Sequence, residues 1–532
     1  MNVKGQYPRD SVWARHAMIA TGHPLATQAG LSILHHGGNA VDAAVAAAFA
    51  TGVVMPDMAG VGGEAFVLHQ GPRQEVRAYV GSGPLPQGFD ESKLPKALML
   101  PLHQGPSISV PGAVDLYWQL HQKEGRLSWR DIIEPARRLA LDGFPIDVRL
   151  AQSLQESQYL KEQAPSCQNL FFPYGQPLTE GQLLRQPELA RTLAILQDKG
   201  REGFYRGEIA HYIVEAVKQA GGFLDYNDLS GYETEVTIPC SLAFGPYTVY
   251  QTPPPSQGIV MLEAMAILGS EFPHDWREDG AKVHEVIEAL RWAFYDRREY
   301  VGDPLWHSFD AYALLSPEWI EKRRAGIGFR ASPINTELKA GDTTSLVAVD
   351  EEGHVVSFIH SLALSFGSHV FVPQGGFFLN NRAGRSFNRI PNHPNQAVPG
   401  KRPMHTLNTY LVTHLDEFYV VGNTPGGDGQ PQWNLTILLD LLLAHSLPHE
   451  AVQAPRLTVG PATDVHTLNE SSYVLLESRF APHVIENLRK RGHAVQVIGP
   501  LQGGGSAQVI KRVNGNWVGA SDPRGIGQTM GF

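Results

Sequence analysis

Gly341-Asp342-Thr343-Thr344-Ser345, running on into Leu346-Val347-Ala348-Val349-Asp350, sets two threonines at the mouth of a short apolar, β-branched run. On its own a threonine at the start of a strand is ordinary, because β-branched side chains fit a pleated sheet. Here the flanks add to it. Glu351-Glu352-Gly353 separates the run from a second one, residues 354–364, and the two predict a β-hairpin. Upstream, from Lys322 to Asp342, the chain turns polar, and Gly326, Gly328, Pro333 and Gly341 break any period. That composition predicts an exposed, cleavable segment directly before Thr343.

Further out, residues 25–36 read as a helix stopped by Gly37-Gly38. Asn39 is placed to cap a following Ala-rich helix that is apolar nearly all round and therefore buried. Gly60-x-Gly62-Gly63 precedes a strand at residues 65–69, whereas a phosphate-binding loop must follow one and open a helix. Close backbone packing accounts for those glycines better. Residues 115–330 read mostly as helix, with a strong one at 283–300, and Pro253-Pro254-Pro255-Ser256-Gln257-Gly258 turns a strand into a helix at Ile259. Further strands are expected at 376–379, 409–413 and 418–421. Helices first and strands clustered in the last third predict a layered α+β architecture.

Of 532 residues, 42% are apolar and 18% charged, the balance of a chain with a large core and not of a disordered one. A net charge of -10 with no basic stripe argues against a nucleic-acid partner. Cys167 and Cys240 are too few for a disulfide framework and give no metal spacing, so reduced thiols are expected. The first ten residues lack an apolar signal core, and the most apolar window, residues 40–55, is too short to span a bilayer. A cytoplasmic protein without a membrane partner is the expectation, in which the sequons at Asn434 and Asn469 carry no glycan.

Nine short matches, in order, give the chain a resemblance. They are Thr21-Gly22-His23-Pro24-Leu25-Ala26, Gly37-Gly38-Asn39-Ala40-Val41-Asp42-Ala43-Ala44, Pro253-Pro254-Pro255-Ser256, Asp296-Arg297-Arg298 and Tyr300-Val301-Gly302-Asp303-Pro304, followed by Asp342-Thr343-Thr344, Lys401-Arg402-Pro403, Pro425-Gly426-Gly427 and Ser521-Asp522-Pro523-Arg524. Together they resemble the gamma-glutamyltransferase family of N-terminal-nucleophile hydrolases, from about Ala17 to the last residues. The resemblance implies a four-layer αββα sandwich of the α+β class, made as one precursor and cut into two chains that stay together. By position the cut falls between Asp342 and Thr343. Residues 1–342 would form a large, mostly helical subunit with part of the sheets, and residues 343–532 a small subunit with the nucleophile and core strands. The two make one αββα domain; whether such heterodimers pair further is left open.

The chemistry suits these residue types. Attack of the Thr343 hydroxyl on the Asp342 carbonyl exchanges the peptide for an ester, which water opens. The freed α-amino group, with a reference pKa of about 7.7–8.0, can then act as the base for its own hydroxyl. No His or Asp partner and no cofactor are needed. The resemblance places backbone oxyanion donors at Gly426 and Gly427, and at Ser361 a hydroxyl that orients the nucleophile.

Substrate recognition departs from the family pattern. Where gamma-glutamyl enzymes hold the donor's α-amino group with Asn, Gln and Asp, this chain has Ala363, Arg382 and Arg385. Two guanidinium groups repel an ammonium and attract a carboxylate. The serines that follow Lys-Arg-Pro are replaced by His405 and Thr406, Gln87-Gly88 stands where an arginine is expected, and the lid at 387–400 is short. Asn380-Asn381-Arg382-Ala383-Gly384-Arg385 resembles the family's amidohydrolase branch, to which oxamate-hydrolysing enzymes and cephalosporin acylases belong. The expectation is a self-cleaving threonine amidohydrolase for a small carboxylate-bearing amide, oxamate to oxalate and ammonia above all. Arg382, Arg385, His405, Thr406 and Asn381 would contact substrate. A gamma-glutamyl hydrolase or transferase, a glutaryl- or cephalosporin-type acylase, and an uncleaved scaffold are the alternatives.

Overall fold

Strand Asp342–Asp350 pairs antiparallel with Val355–Ala363, in the register Thr344 to His360 and Val349 to Val355. The expected hairpin is therefore present, with a bulge between Asp342 and Thr344. The computed structural model describes residues 9–333, 342–460 and 472–532. Asn469 and residues 334–341 of the segment expected to be exposed lie outside the described residues. Part of that segment's start belongs to a helix, Pro317–Ala325, capped by the Ser316 side chain.

The hairpin sits near the centre of a seven-stranded sheet. Its strands run in the order Gln528–Gly531, Ala17–Thr21, Asp342–Asp350, Val355–Ala363, Glu64–Gln70, Arg77–Gly81, Glu235–Thr237. A second seven-stranded sheet runs Val12–Ala14, Asn516–Ser521, Gln508–Val513, Glu417–Asn423, Tyr410–His414, Tyr247–Gln251, Cys240–Phe244. Side-chain alternation shows how the layers stack. Leu346 and Ala348 join a core shared with helices Pro24–His35 and Ala40–Val54, while Val347 and Val349 join Leu411, Val421 and Ile510 between the sheets. On the far side, Val249, Val412 and Val420 pack under helices Gly258–Leu268, Gly280–Tyr300 and Gly429–Leu442. The order is helix, sheet, sheet, helix. Strands buried on both faces explain why the nucleophile run is continuously apolar instead of alternating, with each Val worth about 1.5–3 kcal/mol in burial.

Helix Ala40–Val54 is buried almost completely, and Asn39 and Asp42 cap it reciprocally, each side chain accepting from the other's backbone N–H at 3.0 Å. Both cysteines are free and buried. One expectation needs correction. Strands do not cluster in the last third: seven of the fourteen in the two sheets (three in one, four in the other) precede Asp342. Short early strands such as Ala17–Thr21 have too few residues for a period to register, and they exist because the central hairpin pairs with them. The expected strand at 376–379 is reduced to Phe377–Phe378, paired only with Phe371–Val372.

Candidate active site

Thr343 is 3% exposed, and its hydroxyl donates to Ser361 Oγ at 3.2 Å. Ser361 Oγ also accepts from the Ala363 N–H at 2.8 Å, so the neighbouring strand fixes it. Ala363, the register partner of Asp342, has φ of 87°, a left-handed conformation that costs a residue with a Cβ about 1–3 kcal/mol. Bulge and strain thus meet beside the 342–343 peptide. In the intact chain the Thr343 nitrogen is an amide and has no basic lone pair; a base appears there only once the peptide is cut.

Beside Ser361, on the next strand, its register partner is Glu64, fully buried. Glu64 Oε2 accepts from Arg382 Nε at 3.1 Å and from His405 Nε2 at 2.7 Å, while Oε1 accepts from Gly83 N and Ser109 Oγ. Burial alone would raise the Glu64 carboxyl, but His405 and Arg382 overcome it and hold it below the usual value. Burial, then the Arg382 charge, brings His405 down to about 4, so its ring is neutral near pH 7. The Leu407 N–H donates to His405 Nδ1, which leaves the ring proton on Nε2, facing Glu64. Arg382 is lowered to about 10, chiefly by burial, and stays charged. Its Nη1 donates to Thr406 Oγ1 at 3.2 Å, and its buried Nη2 has no hydrogen-bond partner among the described residues. An orphaned buried donor costs about 1–3 kcal/mol.

A second arginine is held from the other side. Arg385 Nη2 lies 3.5 Å from Asp428 Oδ2, and Arg297 donates to Asp428 Oδ1. Asp428 directly follows Gly426 and Gly427, whose φ values of 126° and 55° favour glycine; a Cβ on Gly426 would lie 2.4 Å from the Trp433 ring. Gln257 Nε2 donates to both the Gly427 carbonyl (3.0 Å) and the Thr406 carbonyl (2.7 Å), tying the glycine turn to the arginine cluster. Helix Gly429–Leu442 starts here, with the positive end of its dipole at the turn. The Asn423 amide reaches back across the sheets to the carbonyls of Leu346 and Phe358.

The structure thus brings together Thr343 with Ser361, and Arg382 with His405 and Thr406; Arg385 joins the glycine turn through Asp428. Asn381 is engaged elsewhere: its Nδ2 donates to Leu102 O and its Oδ1 accepts from Leu364 N, at 2.8 and 3.1 Å. Of Asp342 only the backbone is described. Gln87 lines a cavity of about 630 Å³ with Ser82, Tyr232 and Arg402. Sequence reasoning missed Glu64, Gln257, Arg297, Asp428 and Asn423. Two of them stood inside quoted stretches, Gln257 after the prolines and Arg297 in Asp296-Arg297-Arg298, and Asp428 is the residue next to the quoted glycine pair. A buried charge needs a partner, so the two expected arginines were the signal that carboxylates had to be found.

The family model described as gamma-glutamyltranspeptidase matches residues 26–532. This chain belongs to that family. It is 34% identical to the glutathione hydrolase-like YwrD proenzyme of Bacillus subtilis, over 98% of this chain and 99% of that one. Against the oxamate amidohydrolase proenzyme of Klebsiella pneumoniae it is 32% identical, over 97% and 98% of the two chains. The crystal structure of cephalosporin acylase from Bacillus halodurans matches at a TM-score of 0.92 and 32% identity, covering 100% of this chain and 99% of that one. As a gamma-glutamyltranspeptidase family member the chain is an enzyme, a hydrolase of amide C–N bonds. No helix among the described residues is long and apolar enough to cross a membrane.

Proposed function

We propose that the chain cuts itself before Thr343 and then hydrolyses the amide of a small carboxylate-bearing substrate, with oxamate as the specific candidate. The Thr343 hydroxyl attacks the amide carbon while the freed α-amine takes its proton. The tetrahedral oxyanion is stabilised by backbone N–H groups at Gly426 and Gly427, collapse expels ammonia with a proton from the amine, and water releases oxalate from the Thr343 ester. Ser361 orients the hydroxyl. Arg382 holds the substrate carboxylate with support from Thr406, and Arg385 adds positive potential from the side of the glycine turn. Asn381 and His405 act behind this surface, Asn381 by fixing the loop and His405 by holding Glu64.

The observation that carries this reading is the buried, unpartnered Nη2 of Arg382. Its guanidinium is anchored to Glu64, the register partner of the residue that receives the Thr343 hydrogen bond. A buried guanidinium N–H with no partner among the described residues suits a carboxylate oxygen as acceptor. A second reading, gamma-glutamyl hydrolysis, has its support in the 34% identity to a glutathione hydrolase-like protein.

The test is a substrate panel. Ammonia release from oxamate, with gamma-glutamyl anilide and glutaryl amide turned over far more slowly, is the expected outcome. Arg382→Gln should raise KM for oxamate at least about tenfold, the loss of a charge-assisted hydrogen bond worth roughly 1.5–3 kcal/mol. An unchanged KM would sink the clamp, and preferred turnover of the gamma-glutamyl anilide would replace this reading with the second.

A further inference from the structure

His69, Glu124 and His354 lie far apart in sequence and meet at the end of the hairpin opposite Thr343. They come from strand Glu64–Gln70, the last turn of helix Ala113–Glu124, and the turn between the two hairpin strands. Their ligand atoms all lie within 4.8 Å of one another. His69 Nε2 and His354 Nδ1 are hydrogen-bonded at 3.2 Å, a separation that two nitrogens sharing one ion at bonds of about 2.0–2.1 Å also adopt once the shared proton is lost. Both histidines are buried and Glu124 is part-exposed, which leaves one open side. The Glu124 carboxylate makes no hydrogen bond or ion pair among the described residues.

The cluster is also held in place. Asp350 Oδ1 accepts from the N–H groups of Glu352, Gly353 and His354, each at 3.0 Å, and its Oδ2 accepts from Ala40 N at 2.7 Å. Asn39, one residue before, donates to the Glu124 carbonyl at 2.6 Å. One helix start therefore fixes both flanks. A second observation points to a ligand: the Tyr79 hydroxyl, on the same sheet face as His69, is buried with no hydrogen-bond partner among the described residues. Tyr79 pairs with Val67, two residues before His69, which makes it a diagonal neighbour of that histidine.

We infer that His69 Nε2, His354 Nδ1 and the Glu124 carboxylate form a binding site for a divalent transition-metal ion, zinc foremost. Two imidazoles and a carboxylate are a zinc donor set, and a fourth position is left for water. The site is structural, since seven strand residues at roughly 3.3 Å each put it about 23 Å from Thr343. Two ligands precede Asp342 and one follows Thr343. If the cut proposed above occurs, the ion would tie the two chains together; the site itself does not depend on that cut. A second His–Glu–His group among the described residues, His284, Glu288 and His493, is closed by its own bonds. The Glu288 oxygens are engaged by Arg291 Nη1 and Ser332 N, and His284 Nε2 is bonded to the Gly328 carbonyl at 2.9 Å.

The experiment is a zinc titration of the purified full-length enzyme, stripped with chelator and dialysed, in competition with a colorimetric zinc indicator. One zinc per chain should bind and raise the melting temperature. Glu124→Gln, a part-exposed and fold-neutral change, and His354→Ala should each weaken binding at least about tenfold, while His284→Ala leaves it unchanged. Wild-type affinity in both of the first two variants, loss of the zinc in His284→Ala, or no micromolar zinc in the wild type would overturn the site. Repeating the titration on Thr343→Ala, with the state of the chain read by denaturing mass spectrometry, keeps a failed cut separate from a failed metal site.

Discussion

At the scale of the residue, the arginine cluster is governed by which groups carry charge. Glu64 is ionised, Arg382 is cationic, and His405 is a neutral donor to Glu64. Its folded pKa, about 4, lies below the ordinary 6.5, so between those values the unfolded chain binds a proton at this position and the folded chain does not. Stability is therefore complete above pH 6.5 and falls as the pH drops toward 4, by up to about 3 kcal/mol from this ring. The depressed Glu64 carboxyl acts in the same direction at lower pH, since it too must be protonated on acidification. His405→Gln keeps a donor for Glu64 but cannot titrate. The drop in urea midpoint between pH 7 and pH 4.5 should shrink measurably in that variant, and an unchanged drop would remove His405 from the acid response. The residues themselves were only partly legible. Arg382 and Arg385 stood out because a nucleophile's neighbourhood rarely needs two cations, whereas Glu64 follows a glycine loop 318 residues away, and no local pattern pairs it with Arg382.

At the scale of the element, the hairpin and the two N-terminal helices could be read because their signals are local: a turn between β-branched runs, a cap, a glycine stop. The sheets could not, since strand order is set by pairing partners far away in the chain. The glycine loop before Glu64 shows the difference. Its sequence ruled out a phosphate loop, but only the fold reveals what the glycines do. A Cβ on Gly62 would lie 2.1 Å from the Phe378 carbonyl oxygen, and one on Gly63 2.5 Å from the Ser361 carbonyl oxygen. The loop is the floor against which the Ser361 strand and the Asn380–Arg382 segment are pressed, with Asn380 N donating to Gly62 O at 3.0 Å. Gly62→Ala must push that backbone away, so a loss of about 1–3 kcal/mol in thermal unfolding is expected, together with a lower rate on any substrate that Arg382 holds. Gly37→Ala is the comparison: its φ is 87° but a Cβ there meets nothing within 4 Å, so only the conformational cost of about 1 kcal/mol should appear. Equal losses in the two variants would show that crowding at Gly62 is not what matters.

At the scale of the whole molecule, the position of Asp342 and Thr343 within the sheets decides what a cut would do. Strand Asp342–Asp350 has Ala17–Thr21 on one side, and its hairpin partner Val355–Ala363 has Glu64–Gln70 on the other. In the second sheet Val12–Ala14 pairs with Asn516–Ser521, and Tyr247–Gln251 with Tyr410–His414. The last strand, Gln528–Gly531, closes back onto Ala17–Thr21. Residues 1–342 and 343–532 are thus interleaved at five strand pairings in the two seven-stranded sheets, and neither piece contains either of those sheets complete. Breaking one peptide at the mouth of a central strand removes no ladder hydrogen bond between the pieces and exposes almost none of the core between the sheets. Separation would require opening both sheets, a cost on the scale of global unfolding. Denaturing mass spectrometry of the wild type should accordingly give two fragments of 342 and 190 residues (532 − 342 = 190). The same sample under native conditions should run as one species with the mass of both. Thr343→Ala should stay a single uncut chain in either condition, because without the hydroxyl nothing attacks the Asp342 carbonyl. Fragments that separate natively would contradict the interleaving argument, and an uncut wild type would leave Thr343 without its amine and remove the base on which the proposed hydrolysis depends.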